Sequence, residues 1–155
     1  MLFCGTAMEL LGRRIEDAQG NAFEGLGLGA FTVEQGKKPI VGDVIGTPAL
    51  EMEPIVGFLN TRARIHGVEH PFLKSLSLGT GNEAPLGPEG LRLGKLLGSS
   101  LTGPLLVKNP QLLKWVVGAI YEKRGEQAPE EIPTDTWAQA GYEVTLRELS
   151  KRVQK

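Results

Sequence analysis

The sequence predicts an α/β fold whose middle is antiparallel and whose C-terminal part is helical. Three observations predict it. The chain opens on a short apolar run, Met1–Phe3, followed by Cys4-Gly5 and a segment of helical spacing. Strand-like segments then follow one another too closely to be joined by helices, so they pair antiparallel. The last part carries two stretches of helical period. At 155 residues the chain suits one domain with one core, so residues 1–155 are read as a single domain. Its 21 glycines and 10 prolines, against 6% aromatics, call for many short turns rather than a helical bundle.

The elements follow in order. From Thr6 the apolar residues Met8, Leu11 and Ile15 fall at helical spacing, and Gly20-Asn21 ends that helix. Phe23 to Val33 reads as a strand in which Leu26 and Leu28 alternate with glycines. "EQGKKP" then makes a turn. Pro39–Gly46, Leu50–Asn60 and Arg62–Val68 read as further strands. Leu78–Gly90 is a loop rich in glycine and proline. Leu91–Leu101 returns to strand-like alternation. Asn109-Pro110 is a helix start, a capping residue before a proline at the first helical position. Leu112, Leu113, Val116, Val117 and Ile120 form one apolar face of that helix, which Gly125 closes. A final helix runs from about Thr134 to Val153, with Tyr142, Leu146, Leu149 and Val153 on its packed side.

The bulk chemistry excludes several classes. The net charge is -1, without a basic stripe, which argues against a nucleic-acid partner. No apolar run reaches the ~18 residues of a membrane span, so no membrane role is expected. The opening segment lacks the basic flank and cleavage site of a signal peptide. A single cysteine excludes an internal disulfide, and a cytoplasmic setting is the expectation.

Few side chains are candidates for chemistry. A short apolar strand, a Cys-Gly turn and a helix make the layout of a nucleophile elbow. Such a turn projects Cys4, and a helix N-terminus behind it would favour the thiolate. A buried structural thiol is the alternative. His66 and His70 lie four apart, a metal-site spacing only on a helix, which Gly67 argues against. Arg62 and Arg64 share one face if their segment is a strand, where one of them could hold a carboxylate. Gly25 to Ala30 mimics a dinucleotide fingerprint but does not open a helix. Ser99, Ser100 and Thr102 sit where an apolar segment meets Gly103-Pro104, a place where catalytic groups collect.

Taken in order, these pieces resemble the class I glutamine amidotransferases of the cobyric acid synthase type. Among these, the likeness is closest to the glutaminase subunits of lipid II isoglutaminyl synthases. "FCGTAMELLGR" resembles the family's Cys-Gly-Gly-x-Gln-x-Leu-Gly segment. "EGLGLGAFTV" resembles its "EGLGxL" strand, and "IVGFLNTRARI" its "xxGFENHxGRT" strand. "EGLRLGKLLGSSLTGPLLVKNPQL" resembles "EGxRxxNxxGTYxHGPLLPKNPxL". The likeness covers about residues 2–120.

The resemblance implies a partial flavodoxin-like sheet with an antiparallel strand insertion. It implies glutamine as substrate and no cofactor. Cys4 takes the nucleophile position, and Gly5 offers a backbone N–H to the oxyanion. Asn60 and Arg64 match the substrate-side strand. The ammonia released would pass to an ATP-dependent Mur-ligase-like synthetase that amidates a peptidoglycan precursor, or to a cobyric-acid-type acceptor. Two departures accompany the likeness. The family's catalytic histidine falls on Thr102, which cannot serve as a base near neutral pH. Gly-Gly becomes Gly5-Thr6, and the family's glutamine falls on Glu9. The family also carries parallel strands and a glycine-rich loop before the cysteine strand. Either Met1 is an internal methionine and the upstream part is lost, or another chain supplies those strands; standing alone, Met1–Cys4 would form a bare sheet edge, so self-association or a partner is expected. The alternative function is a non-catalytic amidotransferase-like scaffold.

Overall fold

The computed structural model describes residues 1–129 and 136–153. Its strands are β1 (Leu2–Cys4), β2 (Arg14–Glu16), β3 (Ala22–Glu24), β4 (Thr32–Pro48), β5 (Ile55–His66), β6 (Leu73–Leu78), β7 (Leu91–Leu93), β8 (Leu96–Ser99) and β9 (Leu101–Thr102). Its α-helices are α1 (Leu105–Lys108), α2 (Pro110–Arg124) and α3 (Thr136–Val153). The fold is mixed α/β with C-terminal helices. One sheet has the order β1-β8-β7, with β1 parallel to β8. The other has the order β3-β2-β4-β5-β9, with β6 added to β4.

The centre of the molecule is the long β4–β5 hairpin. Its pairing runs from Thr32 opposite His66 to Gly46 opposite Ile55. "EQGKKP" is therefore not a turn. It lies inside β4, where the register shifts between Gln35 and Ile40 and Gly36–Pro39 bulge opposite Arg62. The strand expected to end at Asn60 and restart at Arg62 is one continuous strand. Its start moves to Ile55, because Leu50–Pro54 form the hairpin connection.

The helix expected from Thr6 to Gln19 is absent. A 3₁₀ segment, Gly5–Leu11, replaces its first part, and β2 its second. Gly12 ends the 3₁₀ segment in extended conformation, and a Cβ there would stand 2.7 Å from the Phe31 ring. That close packing lets Arg13 N donate to Phe31 O at 2.9 Å and turns the chain into a strand. Gly20-Asn21 is instead the β2–β3 turn, held by Asp17 Oδ1, which accepts from Gln19 N and Asn21 N.

The strand expected over Phe23–Val33 is interrupted. The glycine-rich residues after β3 lie against the end of the 3₁₀ segment. Leu26 N donates to Leu10 O at 2.8 Å, Gly27 N to Gly12 O at 2.9 Å and Gly29 N to Leu11 O at 2.9 Å. A Cβ on Gly25 would stand 2.1 Å from Gly12 O and one on Gly29 2.6 Å from the Phe31 ring, so these two serve close packing, whereas Gly27 adopts a positive φ of 64°. Leu91–Leu101 is likewise divided into β7, β8 and β9, with a positive-φ turn at Gly94.

α2 starts at Pro110, as the sequence predicts, and Gly125 closes it in the left-handed conformation, φ 70°. Asn109 does not cap with its side chain. The amide is fully buried, accepts from Val56 N at 2.9 Å and donates to Val56 O and Leu105 O at 2.8 Å each. It ties β5 to the helical layer. The apolar face of α2 is only partly covered. Leu112 is buried, whereas Ile120 is 52% exposed.

α3 packs Tyr142, Leu146 and Leu149 on Ile45 and Val56. Val153, expected on the packed side, is exposed. Thr134, the expected start of α3, lies outside the described residues. One core joins Val44, Ile55, Leu59, Phe72, Leu97, Leu101 and Leu112. A second joins Met8, Leu11, Phe31, Val33, Ile65 and Leu91. None of the described helices is long and apolar enough to cross a membrane.

Candidate active site

Cys4 ends β1, and its register partner in the parallel pair is Ser99, the end of β8. The next residue, Gly5, has φ +62°, a conformation that disfavours any side chain. A Cβ placed on Gly5 would stand 3.3 Å from Thr102 Cγ2. The structure thus gathers Cys4, Gly5, Ser99 and Thr102 where β1, β8 and β9 end.

Thr102 does not face the thiol with a free base. Its Oγ1 donates to Phe58 O at 3.1 Å, across the β5–β9 pair. His66 and His70 lie elsewhere. His66 ends β5 between Glu83 at 3.5 Å and Glu34 at 3.7 Å. His70 lends its backbone carbonyl to Arg92 N at 2.7 Å. Among the described residues no His, Cys, Asp and Glu cluster could hold a metal ion.

Asn60 and Arg64 share the exposed face of β5 with Arg62. Asn60 lies two positions from Phe58, the partner of Thr102. Arg64 lies six positions away, about 20 Å at the rise of a strand. Its Nη1 donates to Glu83 O at 2.6 Å, so it fastens the loop after β6. The arrangement brings Asn60 toward the β5–β9 pair and places Arg64 further along β5 from Phe58.

The electrostatics run against the sequence expectation for Cys4. The segment behind it is a 3₁₀ turn, not a helix with an extended dipole. One flank of Cys4 is exposed, yet burial of the other pushes its thiol up, and the charge of Glu89 pushes it further. Glu9 is buried as well. Burial raises its carboxyl, and a 2.7 Å hydrogen bond from Gln35 Nε2 offsets part of this.

Glu89 was not singled out by sequence reasoning. It is 1% exposed, and its carboxylate accepts from Ser99 Oγ at 3.0 and 3.2 Å and from Ser100 N at 2.7 Å. Burial pushes its carboxyl up to about 7. Ser99 Oγ also accepts from Leu101 N at 3.2 Å, which completes the β8–β9 corner. The available signal was a lone acid in "GPEGLRL", directly before an apolar strand.

No family model matches the chain. Two curated relatives do. The lipid II isoglutaminyl synthase (glutamine-hydrolyzing) subunit GatD of Staphylococcus aureus is 30% identical over 143 residues, 90% of this chain and 57% of that protein. The protein of the same description from Streptococcus pneumoniae is 30% identical over 130 residues, 81% of this chain and 49% of that protein. The chain spans about half the length of the curated relatives it matches, and over that span it is a GatD-like protein.

Proposed function

We propose that this chain is a glutamine amidotransferase-like subunit with a partial flavodoxin-like, class I fold. It serves an ATP-dependent Mur-ligase-like synthetase that amidates a peptidoglycan precursor. The observation that carries this reading is Cys4 on a positive-φ turn at the end of a parallel strand, in a chain 30% identical to two GatD subunits. In this reading Cys4 Sγ attacks the carboxamide carbon of glutamine. Gly5 N–H supports the oxyanion, and ammonia leaves as the thioester forms. Asn60 stands on the substrate side. Arg64 stands on the same exposed face of β5, with Nη1 on Glu83 O.

A specific observation favours a second reading, a binding subunit whose chemistry is silent. Thr102 replaces the expected imidazole, and its hydroxyl is spent on Phe58 O. Loss of the base costs triad-type enzymes several powers of ten in rate. Glutamate release from glutamine separates the two, measured with the synthetase present for the wild type, Cys4→Ala and Thr102→His. The glutaminase reading expects wild-type turnover that Cys4→Ala abolishes; the silent reading expects the wild type to match Cys4→Ala and Thr102→His to gain turnover. Strong Cys4-dependent turnover in the wild type would refute the silent reading. No gain from Thr102→His would refute a site intact but for its base.

The partner surface in this reading is the free edge of β1. Beside it lies an apolar groove of about 520 Å³ lined by Met1, Leu2, Leu96, Trp115, Val116 and Ile120. Lys95, Lys123 and Arg124 stand along the same groove.

A further inference from the structure

Glu89 is a carboxyl taken almost wholly out of water, and among the described residues no cation pairs with it. Burial dominates its environment, and only Ser99 and Ser100 oppose that effect. Such a group is costly unless it is held for a reason. Its two hydrogen-bonding partners form the corner after β8, and the first of them is the register partner of Cys4. We propose that Glu89 is a positioning residue for Cys4, fixing the end of β8 on which Cys4 is registered and holding a negative charge against the sulfur. The inference rests on reading Cys4 as the nucleophile of the site.

The other charged groups near the corner are engaged elsewhere. Glu9, on the 3₁₀ segment, is bound to Gln35. Arg92, on β7, donates to the carbonyls of Gly94 and Ala49. Lys95, in the β7–β8 turn, pairs with Glu122 of α2. From β9 and β5 the site receives Thr102 and Phe58, which carry no charge. Burial apart, Glu89 is the group that raises the Cys4 thiol. Ionised Glu89 therefore keeps Cys4 protonated, and neutral Glu89 relaxes that restraint. The missing imidazole and the present carboxylate act in the same direction, toward a resting thiol.

The test is alkylation of Cys4 by iodoacetamide on the full 155-residue chain, from about pH 6 to about pH 10, with Cys4→Ala as blank. The logarithm of the wild-type rate is expected to flatten near pH 7, where Glu89 ionises, and then to rise again. Glu89→Gln keeps an acceptor for Ser100 N but carries no charge. It should lose the flattening and react faster than the wild type above about pH 7, where Glu89 is ionised in the wild type. Glu89→Asp should restore the flattening. Superimposable wild-type and Glu89→Gln profiles would overturn the proposal.

If Glu89→Gln does not fold, Ser99→Ala takes its place. It removes a bond that holds the Glu89 carboxyl down, so the flattening should move to higher pH, and an unmoved profile overturns the proposal. Glutamate release measured in parallel keeps the two readings apart. Altered alkylation without release in any variant leaves the positioning role and removes glutaminase activity. Unaltered alkylation with Cys4-dependent release does the reverse.

Discussion

Replacing Glu89 by Gln should change how stability depends on pH. The folded chain holds a proton on Glu89 up to about pH 7, whereas the ordinary value of such a carboxyl is 4.5. Between these values the folded state binds a proton that the unfolded state has released. The stability linked to this proton is fully present below about 4.5 and is lost as pH rises through about 7. The displacement corresponds to about 3 kcal/mol of differential stability. Gln has the same shape and keeps an acceptor for Ser100 N, so the charge is the main change. Urea unfolding of both chains from about pH 4.5 to about pH 8 measures the effect. The wild type is expected to lose about 3 kcal/mol relative to Glu89→Gln across that window. Asp17, held low by its bond from Asn21, is present in both chains and cancels in the difference. Parallel stability curves would refute the reasoning, because a carboxyl that titrates normally cannot be desolvated as described.

Two further outcomes follow from buried geometry. Asn109→Ala removes three hydrogen bonds and leaves Val56 N–H and C=O without a partner. Denaturant unfolding should show a loss of about 3 kcal/mol, and a loss below about 1 kcal/mol would contradict the staple between β5 and α2. Gly12→Ala drives a Cβ to within 2.7 Å of the Phe31 ring. A fall of about 1–3 kcal/mol in the same assay is expected, and an unchanged midpoint would mean that the turn into β2 adjusts freely.

Local signals in the sequence carried the parts of the fold that depend on neighbouring residues. Pro110 and Gly125 mark both ends of α2, because a proline at the first helical position and left-handed closure are decided within a few residues, whereas the Asn109 amide is engaged by Val56 and Leu105 rather than by the helix start. The antiparallel middle was legible from the spacing of its strands. The short helix at the front was not, because Met8, Leu11 and Ile15 satisfy helical spacing while Phe31, from another segment, occupies the space beside Gly12. The bulge at Gly36–Pro39 was hidden for a similar reason. Turn residues read as a turn unless a long partner strand pairs on both sides of them.

In the site, Cys4-Gly5 was visible as a local elbow, and its nearness to Thr102 became explicit only through the β5–β9 pairing. Glu89 was visible only as the first residue of the "EGLRLG" motif, and its role was not legible, since nothing near it in sequence shows that Ser99 and Ser100 fold back onto it. The separation of Arg64 from Phe58 along the strand follows from the unbroken run of β5, which the sequence reading divided at Thr61.

The pairing of β1 with β8 also bears on how the chain folds. Leu2 meets Leu97, so this contact closes a loop of most of the chain, whereas the β4–β5 hairpin closes over its own short connection. Loop-closure entropy makes the local hairpin early and the parallel pair late. The corner holding Cys4, Ser99 and Glu89 is then assembled in the final stage of folding. The change in reactivity of this thiol as its pKa rises is accordingly a kinetic marker for completion of the native state.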